Sequence, residues 1–124
     1  MNIIAQSIFV GIYCAILFTI LSYAKIQSLS LFFFILGFVK HFLGFFLGLH
    51  TLFCNCIILP NYGILFGESI LEGITFLILY QMVHKLFPKM WVAFTIGFIL
   101  HILVEIFGLH KWFCENKCTY NSLF

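Results

Sequence analysis

The sequence predicts an all-α integral membrane protein with four transmembrane helices, built as a tandem duplication of a two-helix hairpin. Three observations lead there. Hydrophobic residues fill 64% of the 124-residue chain and charged residues only 8%, where soluble domains are roughly one quarter charged. Four apolar stretches reach the length of about 20 residues that a helix needs to cross a bilayer. The segment GLHTLFC at 48–54 returns sixty residues later as GLHKWFC at 108–114.

The spans fall near Ile4 to Tyr23, Leu31 to Phe53, Tyr62 to Val83 and Met90 to Leu109. Between them AKIQSLS, CNCIILPNYG and HKLFPK interrupt the apolar pattern with the chemistry of turns, and each is too short to hold a soluble domain. The chain is read as a single membrane domain over 1–124, with repeat one at 4–58 and repeat two at 64–118. The N-terminus has neither a basic n-region nor a small-residue cleavage site, so the first span is expected to be retained.

Orientation follows from the loops. The first and third carry Lys25, Lys85 and Lys89, whereas the opposite side carries Lys111 and Lys117, offset by Glu115. The positive-inside tendency then places both termini on the outer or lumenal side. Cys54, Cys56, Cys114 and Cys118 fall on that side, where disulfides persist; Cys14 lies within the first span and reads as a small core residue. A scattered net charge of +2 gives no electrostatic footprint for nucleic acid, so the expected partners are the lipid bilayer and other copies or subunits of a membrane complex.

The duplication extends beyond the seven-residue match. GFVKHFLGFFLGLHTLFC (37–54) and GFILHILVEIFGLHKWFC (97–114) agree at nine of eighteen positions, including two His, two Gly and one Cys. Chance likeness between two apolar helices would fall mostly on Leu, Ile and Phe. QSIFVGIYCAILF (6–18) aligns with ESILEGITFLILY (68–80), sharing Ser, Ile, Gly, Ile, Ile and Leu. An even number of spans per unit inserts both copies the same way up, so parallel repeats related by a pseudo-twofold along the membrane normal are expected. Equivalent residues then lie at equal depth: His41 with His101, His50 with His110, Cys54 with Cys114.

At about 100° per residue, Gly37, His41, Gly44 and Gly48 share one helix face, as do Gly97, His101, Glu105 and Gly108; small residues at that spacing let helices approach closely in lipid. Lys40, His41, Glu68, Glu72, His101 and Glu105 fall inside spans, where a charge costs about 2.5–3.5 kcal/mol on insertion scales, so these groups are expected to face one another. Counted depth sets Glu68 near His101, and Glu72 near Lys40 and His41. In the other copy, Glu68, Glu72 and Glu105 are replaced by Gln6, Val10 and Phe45, and Lys40 by Leu100, which turns a symmetric unit into an asymmetric site. Such a cluster is open to two readings, a polar clasp that sets helix register or an intramembrane site that binds a cation, relays protons or supports acid/base chemistry. Its carboxylates and imidazoles also suit a divalent metal.

A second constellation lies at the outer end. His50 and Cys54 are one helical turn apart, as are His110 and Cys114, so the pseudo-twofold could gather a two-His, two-Cys metal site. The competing account is disulfides among Cys54, Cys56, Cys114 and Cys118, whose connectivity spacing does not determine. On straight helices His50 and His110 lie about 180° from His41 and His101, so the two layers are expected to be separate.

Three functional classes remain: a small transporter or ion- or proton-binding membrane protein, a structural or assembly protein of a cellular or viral membrane, and a membrane thiol oxidoreductase. The third rests on paired outer cysteines in a four-helix bundle, which resemble disulfide-generating quinone enzymes and vitamin K epoxide reductases. Those families carry a CxxC pair; this chain carries Cys54-x-Cys56 and Cys114-x-x-x-Cys118.

Overall fold

The computed structural model describes residues 2–54, 56, 58 and 61–118. They form six helices: α1 (Ile3–Ser22), α2 (Leu29–Phe46), α3 (Leu49–Cys54), α4 (Tyr62–Val83), α5 (Lys89–Ile106) and α6 (Leu109–Lys117). Four of these, α1, α2, α4 and α5, are 18 to 22 residues long with mean hydropathy between 1.5 and 2.2, long and apolar enough to cross a membrane. The turn expected over 54–63 lies partly outside the described residues.

Local chemistry starts these helices where it should. Asn2 accepts from the Ala5 amide at 2.8 Å, Ser28 from Leu31 at 3.3 Å and Asn61 from Ile64 at 3.2 Å; each satisfies one amide that the first turn leaves unpaired. Pro88 stands at the start of α5, where its missing N–H costs nothing.

The second and fourth spans end earlier than the hydropathy suggests. Gly48 and Gly108 adopt φ of +79° and +73°, a left-handed conformation that glycine takes without steric cost. Their amides bond back to the Phe45 and Glu105 carbonyls at 3.1 Å in both cases, closing α2 and α5 in the manner of glycine C-caps. The chain then restarts as α3 and α6. A Cβ added at Gly48 or Gly108 would meet nothing within 4 Å, so these two glycines make turns rather than helix contacts. The expected straight helix through 53 is in fact a long helix and a short one with an elbow between them.

Packing pairs α2 with α4 and α1 with α5. Gly37, Gly73, Gly11 and Gly97 permit this close approach. A Cβ on Gly37 would lie 2.7 Å from the Glu72 carbonyl oxygen, and one on Gly73 would lie 2.8 Å from that of Phe34. On the other pair, Gly11 abuts Phe94 and Gly97 abuts Cys14. Away from the elbows, the core between the two pairs is filled by Leu17, Phe33, Leu36, Phe76, Tyr80, Val92 and Ile96, with Phe33 and Tyr80 stacked at 4.6 Å. The outward faces are apolar too: Ile4, Ile8, Ile12, Ile16 and Ile20 on α1 are all exposed, and their spacing of four makes one continuous stripe.

Candidate functional site

About two turns before the α2 elbow, Lys40 and His41 project toward α4, which presents Glu68 and Glu72 a turn apart on its facing side. Lys40 Nζ pairs with Glu72 Oε1. The other Glu72 oxygen lies 2.8 Å from His41 Nδ1, while His41 Nε2 lies 3.5 Å from Glu68 Oε1. A single imidazole thus sits between two carboxylates. Glu68 is held from the far side by Lys117 of α6, whose Nζ is 3.0 Å from Oε2. Tyr13 of α1 donates its hydroxyl to the Lys40 carbonyl at 3.1 Å, which ties the second helix pair to the site.

The charges balance without outside help. Two ammonium groups face two carboxylates, so the cluster is held by internal pairing, as buried charge requires.

The elbows bring the two histidine layers together. His50, turned back by Gly48, packs its ring 4.6 Å from that of His41, against the bare flank of Gly44. The expectation of separate layers held only for straight helices. Burial first, then the neighbouring His41 and Lys40, push His50 down to about 4; near neutral pH it is an uncharged ring. In the lining of the same cavity His110 lies 6.0 Å from His101, and its Nδ1 meets Glu105 Oε2 at 2.6 Å.

Two of the six ionisable candidates within the long apolar helices therefore pair elsewhere than in the cluster. His101 meets Gln6 at 3.0 Å rather than Glu68, and Glu105 serves His110. The reason lies in the helix pairing: α4 faces α2, so its acids reach His41, while α5 faces α1, so His101 reaches Gln6, the residue aligned with Glu68. Sequence reasoning missed Lys117, Gln6 and Tyr13 as neighbours of these groups. The alignment of Gln6 with Glu68 held the signal for one of them. Lys117 could not be placed without knowing that α6 folds back.

A cavity of about 440 Å³ opens beside the cluster, lined by Lys40, His41 and Glu72, by Val10 and Leu100 of the other helix pair, and by Phe113 of α6. The size falls within the usual range for ligand pockets.

At the elbow end, two disulfides join α3 and the segment after it to α6: Cys54 to Cys114 with Cα atoms 5.3 Å apart, and Cys56 to Cys118 at 5.6 Å. Both bridge residues about sixty positions apart, and neither closes within the C-x-C or C-x-x-x-C motif. Cys14 is a free, buried thiol in the core. Of the two-His, two-Cys metal set, Cys54, Cys114 and His110 come together with ligand atoms within 4.8 Å of one another; His50 is directed to His41 instead. Comparison with protein-family models, curated proteins and solved structures found no match, so the class of this protein rests on its own geometry: an all-helical chain whose long apolar helices enclose an acid, imidazole and ammonium cluster.

Proposed function

We propose that this chain is a multi-pass membrane protein that binds protons or a small cation at the Glu68, His41, Glu72 cluster and acts as a small transporter. His41 carries the proposal. With one ring nitrogen toward each carboxylate, imidazole can take a proton on one side and release one on the other, the property that makes histidine a proton shuttle. Lys117 marks the entrance at the disulfide end and Lys40 the inner end. Beyond Lys40, Leu36 and Phe76 are fully buried and leave the cluster accessible from one end. Conduction across the whole bilayer then requires a second arrangement of the helices or a homo-oligomer or larger complex.

The tandem duplication belongs to this reading and is supported by matched contacts. Gly73 meets Phe34 as Gly11 meets Phe94, Glu68 faces His41 as Gln6 faces His101, and Cys54 is bonded to its own counterpart, Cys114. Only residues beside a twofold axis can touch their own equivalents, so the axis runs past that disulfide. With the axis along the membrane normal, both cysteine pairs lie at one end of the helix bundle, and the lysines of the loops at the opposite end make the cysteine end the outer or lumenal one.

The purified chain in proteoliposomes enclosing a pH-sensitive dye, driven by a potassium diffusion potential, tests the function. Proton flux that is lost in Glu68→Gln and Glu72→Gln while helical content persists supports transport. A second reading, a structural or assembly protein, is favoured by one observation: the Lys40 to Glu72 pair closes the same α2 and α4 contact that Gly37 and Gly73 pack. Absence of flux in the native protein, with the same substitutions disrupting folding, would establish that reading instead.

A further inference from the structure

His110 is built as a metal ligand is built, and it stands beside two sulfurs. Its Nδ1 is 2.6 Å from Glu105 Oε2, so in the neutral ring Nδ1 bears the hydrogen and donates it, leaving Nε2 as a bare lone pair. That Nε2 is buried with no hydrogen-bond partner among the described residues, an arrangement that costs free energy unless another group completes it. A carboxylate on one imidazole nitrogen and a metal on the other is the recurrent outer-shell arrangement of zinc histidines. A ring nitrogen of His110, Cys54 Sγ and Cys114 Sγ all lie within 4.8 Å of one another, close enough for one ion to reach all three with small adjustment.

We propose that Cys54, Cys114 and His110 form a redox-gated zinc site, closed while the two sulfurs are joined and opened when they are reduced. A dithiol supplies the two electrons: its own sulfurs close to a disulfide, the Cys54–Cys114 S–S bond breaks, and its two protons pass to the freed sulfurs. Zinc then binds as both thiols release those protons to solvent. Two thiolates balance the charge of the ion, so the complex brings no net charge into a poorly hydrated setting, and a thiolate and imidazole donor set is one that zinc favours. Three protein ligands leave one coordination position for water. The second link, Cys56 to Cys118, ties the same two segments together and supplies no ligand to the ion. Glu105 positions His110 and does not touch the ion. The duplication explains why only one histidine of the pair serves, since Glu105 is replaced by Phe45 in the other copy and His50 has turned to His41. The site is independent of whether the Glu68 cluster moves protons.

The test uses the full chain in detergent micelles, oxidised or reduced by a dithiol that is then removed anaerobically, titrated with Zn²⁺ and with Co²⁺ as a spectroscopic reporter. The expected result is one ion per reduced chain, none per oxidised chain, and a thiolate-to-cobalt charge-transfer band. Glu105→Gln should weaken zinc binding by about 10 to 100-fold and Cys54→Ser/Cys114→Ser should abolish it, whereas Cys56→Ser/Cys118→Ser should keep it. Equal binding by oxidised protein, no binding by reduced protein, unchanged affinity in Glu105→Gln, or loss of binding confined to the Cys56→Ser/Cys118→Ser variant would each overturn the proposal.

Discussion

Glu72 and Lys40 face each other with side-chain exposures of 15% and 17%, so neither charge has the water it would need alone. Glu72→Gln keeps the volume and can still accept from His41, but leaves the ammonium without a counter-charge. Removing one partner of a buried pair costs about 3–5 kcal/mol, and the retained hydrogen bond sets the expected loss at the lower end, about 3 kcal/mol. Lys40→Met should cost less, about 1 kcal/mol, because the His41 ring remains to donate to Glu72 and the new side chain fills the space with an apolar body. The double variant removes both charges and should return to within about 1 kcal/mol of the native protein, since packed apolar replacements of buried pairs are often neutral. The coupling is then about 3 kcal/mol, at the top of the range for contacting residues. Denaturant titration in mixed micelles, followed by the fluorescence of Trp91 and Trp112, measures all four corners of the cycle. Losses that add within about 0.5 kcal/mol, as for independent sites, would refute the pairing.

Other perturbations probe different parts of the fold. Gly37→Ala drives a Cβ against the backbone oxygen of Glu72, 2.7 Å away, and should cost about 1–3 kcal/mol in the same titration. Gly97→Ala meets the Cys14 sulfur instead, so Cys14→Ala should recover much of its loss while leaving the Gly37→Ala defect unchanged. The two disulfides span 60 and 62 residues and close nearly the same loop; removing either pair alone should have a small effect on thermal unfolding, and removing both should cost about 4 kcal/mol of chain entropy. Full loss on removal of one pair would contradict that redundancy. His50, held at about 4 in the folded protein against an ordinary 6.5, contributes stability that is present above pH 6.5 and drains away as pH falls toward 4, because the unfolded ring takes up a proton that the folded one refuses. His50→Phe should flatten that part of the stability profile relative to the native chain, and a superimposable profile would show that His50 does not contribute.

Much of the fold was legible because hydropathy and helix length are local properties. The long helices α1, α2, α4 and α5 lie close to the expected spans, and Asn2, Ser28 and Asn61 mark starts that capping chemistry favours. The elbows were not read, since Gly48 and Gly108 fit a packing stripe equally well on a straight helix. What separates a glycine that packs from one that turns is its φ and what surrounds it, and neither is written in the spacing. The same error separated His50 from His41 and left Lys117 in a distant tail.

By itself the sequence determined the class of helix, the approximate bounds of the four long apolar helices, the recurrence of one seven-residue pattern sixty positions on, and the small set of ionisable residues whose burial demands partners. Each follows from chemistry carried by single residues or short runs. Tertiary structure decided which partner each group takes. Because α2 lies on α4 and α1 on α5, Glu68 goes to His41 and not to His101, and Gln6 takes the place opposite His101. Because two glycines turn the chain at the elbows, Cys54 reaches Cys114 and the His110 ring comes within 4.8 Å of their sulfurs. Charge and polarity say that a buried group must be paired; only the crossing of helices says with what.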